Sequence, residues 1–119
     1  MSKFNIDKLT EISGFIGAAL VDSESGMSLA NTSTSKVNMD LAAAGNTEVV
    51  RAKRRVAAQL GTTESIEDIL ITLTHQYHII RPLESNASLF LYVMLDREKA
   101  NLAMARHEVR SYEKTINVS

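Results

Sequence analysis

Few residues in this chain have the chemistry of a metal site or a catalytic centre, and their spacing argues against both. His75 and His78 stand as His-x-x-His, with His107 far along the chain and no cysteine anywhere. Two histidines at a strand turn without a third nearby donor fall short of a zinc site, so they read as surface histidines. Asp22 and Glu24 could be imagined as an acid–base pair. Carboxylates at a tight turn ordinarily bond the local backbone, however, and nothing apolar surrounds these two to raise a pKa. Ser23, Ser25 and Ser28 have no histidine expected beside them and no Gly-x-Ser-x-Gly elbow. Neither a Gly-x-x-x-x-Gly-Lys phosphate loop nor a Gly-x-Gly-x-x-Gly fingerprint occurs. The expectation is a chain that is not an enzyme, with no catalytic residue, no cofactor and no metal.

The remaining chemical feature is the basic run Arg51, Lys53, Arg54 and Arg55. At 100° per residue, Arg51, Arg54 and Arg55 share one side of a helix. A solvated helix face is the plain account of them; docking on an acidic partner surface is the sharper one. Nucleic acid is disfavoured, because only six aromatic residues (three Tyr, three Phe) are present and none is interleaved with the cluster. The net charge of −1 likewise creates no general attraction for nucleic acid or anionic lipid. No apolar run approaches the ~20 residues of a membrane span, and the N-terminus lacks a signal peptide's apolar core. With 119 residues and no cysteine, a single domain, 1–119, in the cytoplasm is expected.

The elements that would carry these residues follow from periodicity. Asn38 to Gly61 reads as a long helix, with Asn38 as cap, Asp40 in the first turn and Gly61 as the left-handed residue beyond the end. Leu41, Gly45, Val49, Ala52, Val56 and Leu60 recur at steps of three and four and are expected to face the core. A second apolar flank, Ala42, Asn46, Val50, Lys53 and Ala57, is then left for another partner. Residues 1–15 suggest a short helix capped by Asn5, with Phe4 stapled onto Leu9 and Gly14 as a stop. Ile16–Asp22 and Met27–Ala30 form a hairpin closed by Ser23–Gly26, and Asn31–Lys36 reads as a loop. Strands follow at Ile69–Thr74, Tyr77–Arg81 and Leu89–Leu95, the last apolar on both faces and hence central. Asp96 is expected to cap a final helix with the stripe Leu102, Ala105, Val109, Tyr112 and Ile116. Met94 and Met104 read as core filler. The fold class is α+β: a three-layer sandwich whose five-stranded antiparallel sheet carries the long helix on one face and the first and last helices on the other.

Three stretches within this order resemble the Roadblock (dynein light-chain) family in its prokaryotic form. They are Gly14-Phe15-Ile16-Gly17-Ala18-Ala19-Leu20-Val21-Asp22, the strand Ile69–Thr74, and Leu91-Tyr92-Val93-Met94-Leu95-Asp96 followed by Ala100-Asn101-Leu102-Ala103-Met104-Ala105-Arg106. The resemblance implies a dimer in which the third strands pair across a two-fold and the long helices lie together. It also implies a regulatory or scaffolding role beside small Ras-like GTPases, some members accelerating GTP hydrolysis without supplying a catalytic residue. Carried onto this chain, the homodimer interface would comprise Ile69, Leu70, Ile71, Thr72 and Leu73 with Asn46, Val50, Lys53 and Ala57. Arg51, Arg54 and Arg55 are the candidate contacts to a protein partner. The competing expectation is a small-molecule-sensing module, in which Gly17, Ala18 and Ala19 leave room for a ligand between sheet and helix.

Overall fold

The computed structural model describes residues 5–116. Phe4 and its expected staple lie outside them. Five strands make one antiparallel sheet: β1 (Phe15–Asp22), β2 (Met27–Ser33), β3 (Ile69–Thr72), β4 (Gln76–Pro82) and β5 (Leu89–Asp96). The spatial order is β2-β1-β5-β4-β3, so β5 is central and β2 and β3 are the edges. The long helix α1 (Met39–Gln59) covers one face. A 3-10 turn (Asp7–Glu11) and helix α2 (Leu102–Glu113) cover the other. This is the expected helix–sheet–helix sandwich.

Alternation along the strands divides the core in two. Ala18, Leu20, Ile79, Leu91, Val93 and Leu95 point toward Leu9, Ala105 and Val109. Ala19, Val21, Ile80, Phe90, Tyr92 and Met94 point toward Met39, Ala43 and Val50. Every residue from Leu89 to Leu95 is buried because β5 has helices on both sides and strands on both edges.

The chain's punctuation is local chemistry. Gly14 has φ +82° and sits where a Cβ would come within 2.9 Å of both the Ala100 nitrogen and the Asp96 oxygen, so the turn into β1 requires glycine. Gly26 and Gly61 also have positive φ, at the hairpin and beyond α1, as expected. Asn38 caps α1 by accepting the Leu41 N–H at 3.0 Å.

Four expectations change. The first element is a 3-10 turn of five residues, although the Asn5 carboxamide does accept the Asp7 N–H. β2 continues through Asn31, Thr32 and Ser33, because each finds a partner on β1 that outweighs its preference for turns. β3 stops at Thr72, and Leu73 closes the turn into β4 by donating to Gln76 at 2.8 Å. Asn101, not Asp96, caps α2, accepting the Met104 N–H at 3.1 Å. Asp96 instead closes the preceding turn, its carboxylate accepting from Glu98 and its carbonyl from Ala100.

Candidate interaction surface

The face of α1 that meets the sheet is neither of the two arcs that periodicity suggests, and it shares only Val50 with them. Met39, Ala43, Thr47 and Val50 are the buried residues of the helix. Val50 is fully buried in the chain's own core and is unavailable to a second molecule, which corrects its place in the expected interface. Leu41 and Leu60 of the expected core stripe are instead 69% and 76% exposed, and Val56 is 42% exposed. A Cβ placed on Gly45 would meet nothing within 4 Å.

Polar side chains explain the difference. Thr47 tolerates burial because its hydroxyl donates to the Ala43 carbonyl at 2.8 Å. Asn46 is half-buried, donating to the Ala42 carbonyl and bonding to the Tyr92 hydroxyl on β5. Asn46, Ala42 and Val49 thus lean toward the β5–β4–β3 half of the sheet, with Ile69 and Ile71 packed against the same cluster. Gly26, at the β1–β2 turn, lies under Ala44 and Thr47 on the opposite side. The exposed Leu41, Gly45, Val56 and Leu60 therefore lie on the side of α1 away from the β1–β2 turn. Lys53 is exposed and Ala57 half-buried.

Two of the three arginines serve the chain's own turns. Arg51 donates to the Ser23 carbonyl at 3.0 Å and to the Glu24 carbonyl at 2.5 Å. Arg54 donates to the Ala87 carbonyl at 2.6 Å. Ser23 is buried, and both its N–H and its hydroxyl donate to the Ser88 carbonyl at 2.7 Å, so helix and two hairpin turns meet at one point. Arg55 has no hydrogen bond or ion pair among the described residues. Removing Arg54 by alanine is expected to cost about 1.5–3 kcal/mol, the range of a hydrogen bond from a charged donor. Arg55→Ala is expected to stay within about 0.5 kcal/mol of the parent. Urea midpoints would separate the two; an Arg54→Ala protein as stable as the parent would show that the clamp contributes nothing.

β3 is the open side of the sheet. Its register with β4 is regular from Ile69↔Ile80 to Thr72↔Tyr77, and it contains neither proline nor charge. β2, at the far edge, carries a register shift opposite Leu20 and Val21 that breaks its regularity. Beneath the α1 flank, the Tyr92 hydroxyl bonds His78 Nδ1 at 3.1 Å, and His78 Nε2 bonds Gln76 at 2.8 Å. Burial holds His78 below its ordinary pKa, which keeps it neutral, with the proton assigned to Nε2 by the Gln76 acceptor. Burial also pushes Tyr92 up to about 12, against a smaller opposing effect of the Asn46 hydrogen bond.

The remaining chemical residues are local. The Asp22 carboxylate accepts from the Glu24 N–H and the Ser25 hydroxyl, the turn role expected of it. Met94 is buried, but Met104 is 53% exposed on the outer side of α2 and is no core filler. Over Gly17, whose Cβ would lie 2.9 Å from the Met39 sulfur, the space between sheet and helix is filled. A groove of ≈ 530 Å³ runs instead between the 3-10 turn and α2, lined by Leu9, Ile12, His107 and Tyr112 among others.

The pairing of Arg81 with Glu113 was not legible in sequence. Arg81 Nε donates to Glu113 at 2.9 Å, with the two side chains 4% and 2% exposed. The second oxygen of Glu113 accepts the Glu84 N–H at 3.2 Å. Arg106 binds Asp68 through both carboxylate oxygens and ties the segment before β3 to α2.

These features define a helix–sheet–helix sandwich with one regular strand edge uncovered and apolar residues exposed on the long helix. It is the Roadblock/LC7-type fold, in the form seen in bacterial proteins, and the likeness rests on solved structures. The chain superposes on the Roadblock/LC7 domain from Streptomyces avermitilis with a TM-score of 0.79 at 15% identity, covering 92% of this chain and 88% of that one. Myxococcus xanthus MglB gives a TM-score of 0.78 at 17% identity, over 90% of this chain and 84% of that one. An MglB structure with a tetrameric arrangement gives 0.78 at 16% identity, over 92% and 79%. No family model and no curated protein matches the sequence.

Proposed function

We propose that this chain is a non-enzymatic regulatory or scaffolding homodimer that binds and modulates a small Ras-like GTPase or its assembly. The observation that carries the dimer is the regular, uncharged edge of β3, with exposed apolar residues of α1 on the same molecule. An edge with free N–H and C=O groups and no guarding proline, charge or bulge invites pairing with another strand. A second copy, placed by a two-fold axis, would satisfy that edge and cover those helix residues at once. The tetrameric arrangement of one structural neighbour is in keeping with self-association in this fold.

The GTPase follows from the family resemblance and the likeness to MglB, in a cytoplasmic setting that suits a cysteine-free chain. Arg55 is the arginine of the basic run left available to a protein partner. The ligand-sensing alternative loses its pocket to Met39. Among the described residues, no helix is long and apolar enough to cross a membrane.

The test is to titrate the chain into a small Ras-like GTPase from the same organism, loaded with GDP or with a non-hydrolysable GTP analogue. Binding is expected to depend on the bound nucleotide, and the chain alone is expected to hydrolyse no GTP. Absence of binding in both nucleotide states, by a protein that sediments as a dimer, would remove the GTPase from this reading.

A further inference from the structure

The Arg81 guanidinium is tied down on one side only. Its Nε donates to Glu113, but neither terminal amino group donates to anything among the described residues. Burial makes that unusual. The side chain is 4% exposed, and an arginine so far out of water ordinarily has its donors satisfied. Among the described residues, no fully buried side-chain nitrogen or oxygen lacks a partner, so the surface Arg81 retains lies at those terminal groups. They open on a cavity of ≈ 250 Å³ that Arg81 lines, between connector 62–68, strand β4 and the end of α2.

The other walls add donors and charge. Ser65, Ile66 and Glu67 line the same cavity, and their backbone N–H groups have no acceptor among the described residues. Arg110 stands at the mouth, and the acid beside it, Glu67, is 3.9 Å away with a side chain 72% exposed. Arg81 and Arg110 thus bring two positive charges to the site, and Glu113 behind Arg81 brings one negative. A guest with a single negative charge balances them. A second negative charge would be repelled by Glu67 and Glu84, which lie exposed on the rim. The two terminal amino groups of a guanidinium form a planar fork that matches the two oxygens of a carboxylate.

We propose that this cavity is a binding site for a single carboxylate group, with the Arg81 fork as its anchor. Arg110 supplies the second charge, and the connector N–H groups are flanking donors. Volume restricts the ligand to a small monocarboxylic acid or the last residue of a peptide chain. A groove of ≈ 490 Å³ adjoins the cavity, sharing Ser65, Ile66 and Pro82 with it and adding Ala57, Ala58 and Leu83. The apolar remainder of the ligand would lie there. The site requires neither the dimer nor the GTPase proposed above.

Titration of the full chain with sodium acetate, at an ionic strength held constant with chloride, tests the site by NMR. The Arg81 Nε–H and the amides of Ser65, Ile66 and Glu67 should shift together and saturate, with a Kd of about 1–10 mM for so small a ligand. Sulfate, a dianion, should bind at least about tenfold more weakly. Arg110→Glu changes an exposed residue, so the fold is kept, and should weaken acetate about tenfold. Arg81→Met with Glu113→Leu removes the fork and its counter-charge together and should abolish the saturable shift. Propionate and N-acetylalanine present the same group as a free acid and as a chain end. The tighter of the two names the source of the carboxylate, and saturation by either supports the site. Shifts that never saturate, that sulfate reproduces at the same concentrations, or that persist in Arg110→Glu or the double variant, would overturn it.

Discussion

Proline at Thr72 is expected to give a folded monomer, while proline at Ile71 is expected to damage the fold itself. The difference follows from the antiparallel ladder. Leu73 N–H donates to the Gln76 carbonyl across the β3–β4 turn, so Leu73 and Gln76 form a hydrogen-bonded pair. Such pairs alternate along an antiparallel ladder. Ile71↔His78 and Ile69↔Ile80 are then also hydrogen-bonded, and the N–H groups of Leu70 and Thr72 point away from β4. Proline at Thr72 removes a donor only from the open edge, where proline is tolerated. Proline at Ile71 removes a donor to β4 and leaves the His78 carbonyl without its ladder partner, which should cost about 1–3 kcal/mol. Sedimentation velocity over a wide concentration range, with urea unfolding of each variant, separates the effects. A Thr72→Pro protein that dimerises like its parent would refute strand pairing through this edge.

The second large effect is expected inside the monomer, at Arg81 and Glu113. Both side chains are almost wholly out of water, and Glu113 also serves the Glu84 N–H. Glu113→Ala would leave a buried guanidinium without its counter-charge and a backbone donor without its acceptor. Stripping one partner from a buried pair costs about 3–5 kcal/mol, because the remaining charge stays desolvated. Replacing both residues, as Arg81→Met with Glu113→Leu, removes the charges together and should recover most of that loss. Urea denaturation of the two variants decides the matter. If Glu113→Ala cost less than about 1 kcal/mol, water would have to reach Arg81 in the folded protein. The pair joins β4 to the last turn of α2, so its loss should loosen that helix first.

Much of the fold is legible in the sequence because it is written in local terms. Asn38 and Gly61 bound α1 since a cap needs only a side-chain acceptor and a helix stop only a residue at ease with positive φ. The seven buried residues of β5 mark it as central because nothing but cover on both faces accounts for an unbroken apolar strand. The Asp22 turn is likewise decided within four residues, by a carboxylate bonding the backbone beside it.

What stayed hidden depends on which groups meet in space. The sequence shows two apolar arcs on α1, and the face that meets the sheet is a third one beside them, which takes in a threonine that a 3.6-residue apolar period passes over. Thr47 and Asn46 look like surface residues until the Ala43 and Ala42 carbonyls and the Tyr92 hydroxyl are seen to satisfy them. Only then is the arc through Met39, Ala43 and Val50 the inner one, with Leu41, Val56 and Leu60 turned outward. The basic run is similar: charge alone suggests a docking face, whereas two of its arginines are taken by carbonyls of turns 27 to 33 residues distant in sequence. Arg81 and Glu113 stand 32 residues apart, and no periodicity links a strand residue to the end of a later helix. Local chemistry is set by neighbours along the chain and could be read from it; the identity of the exposed face is set by hydrogen bonds between distant segments, which exist only once the layers have packed.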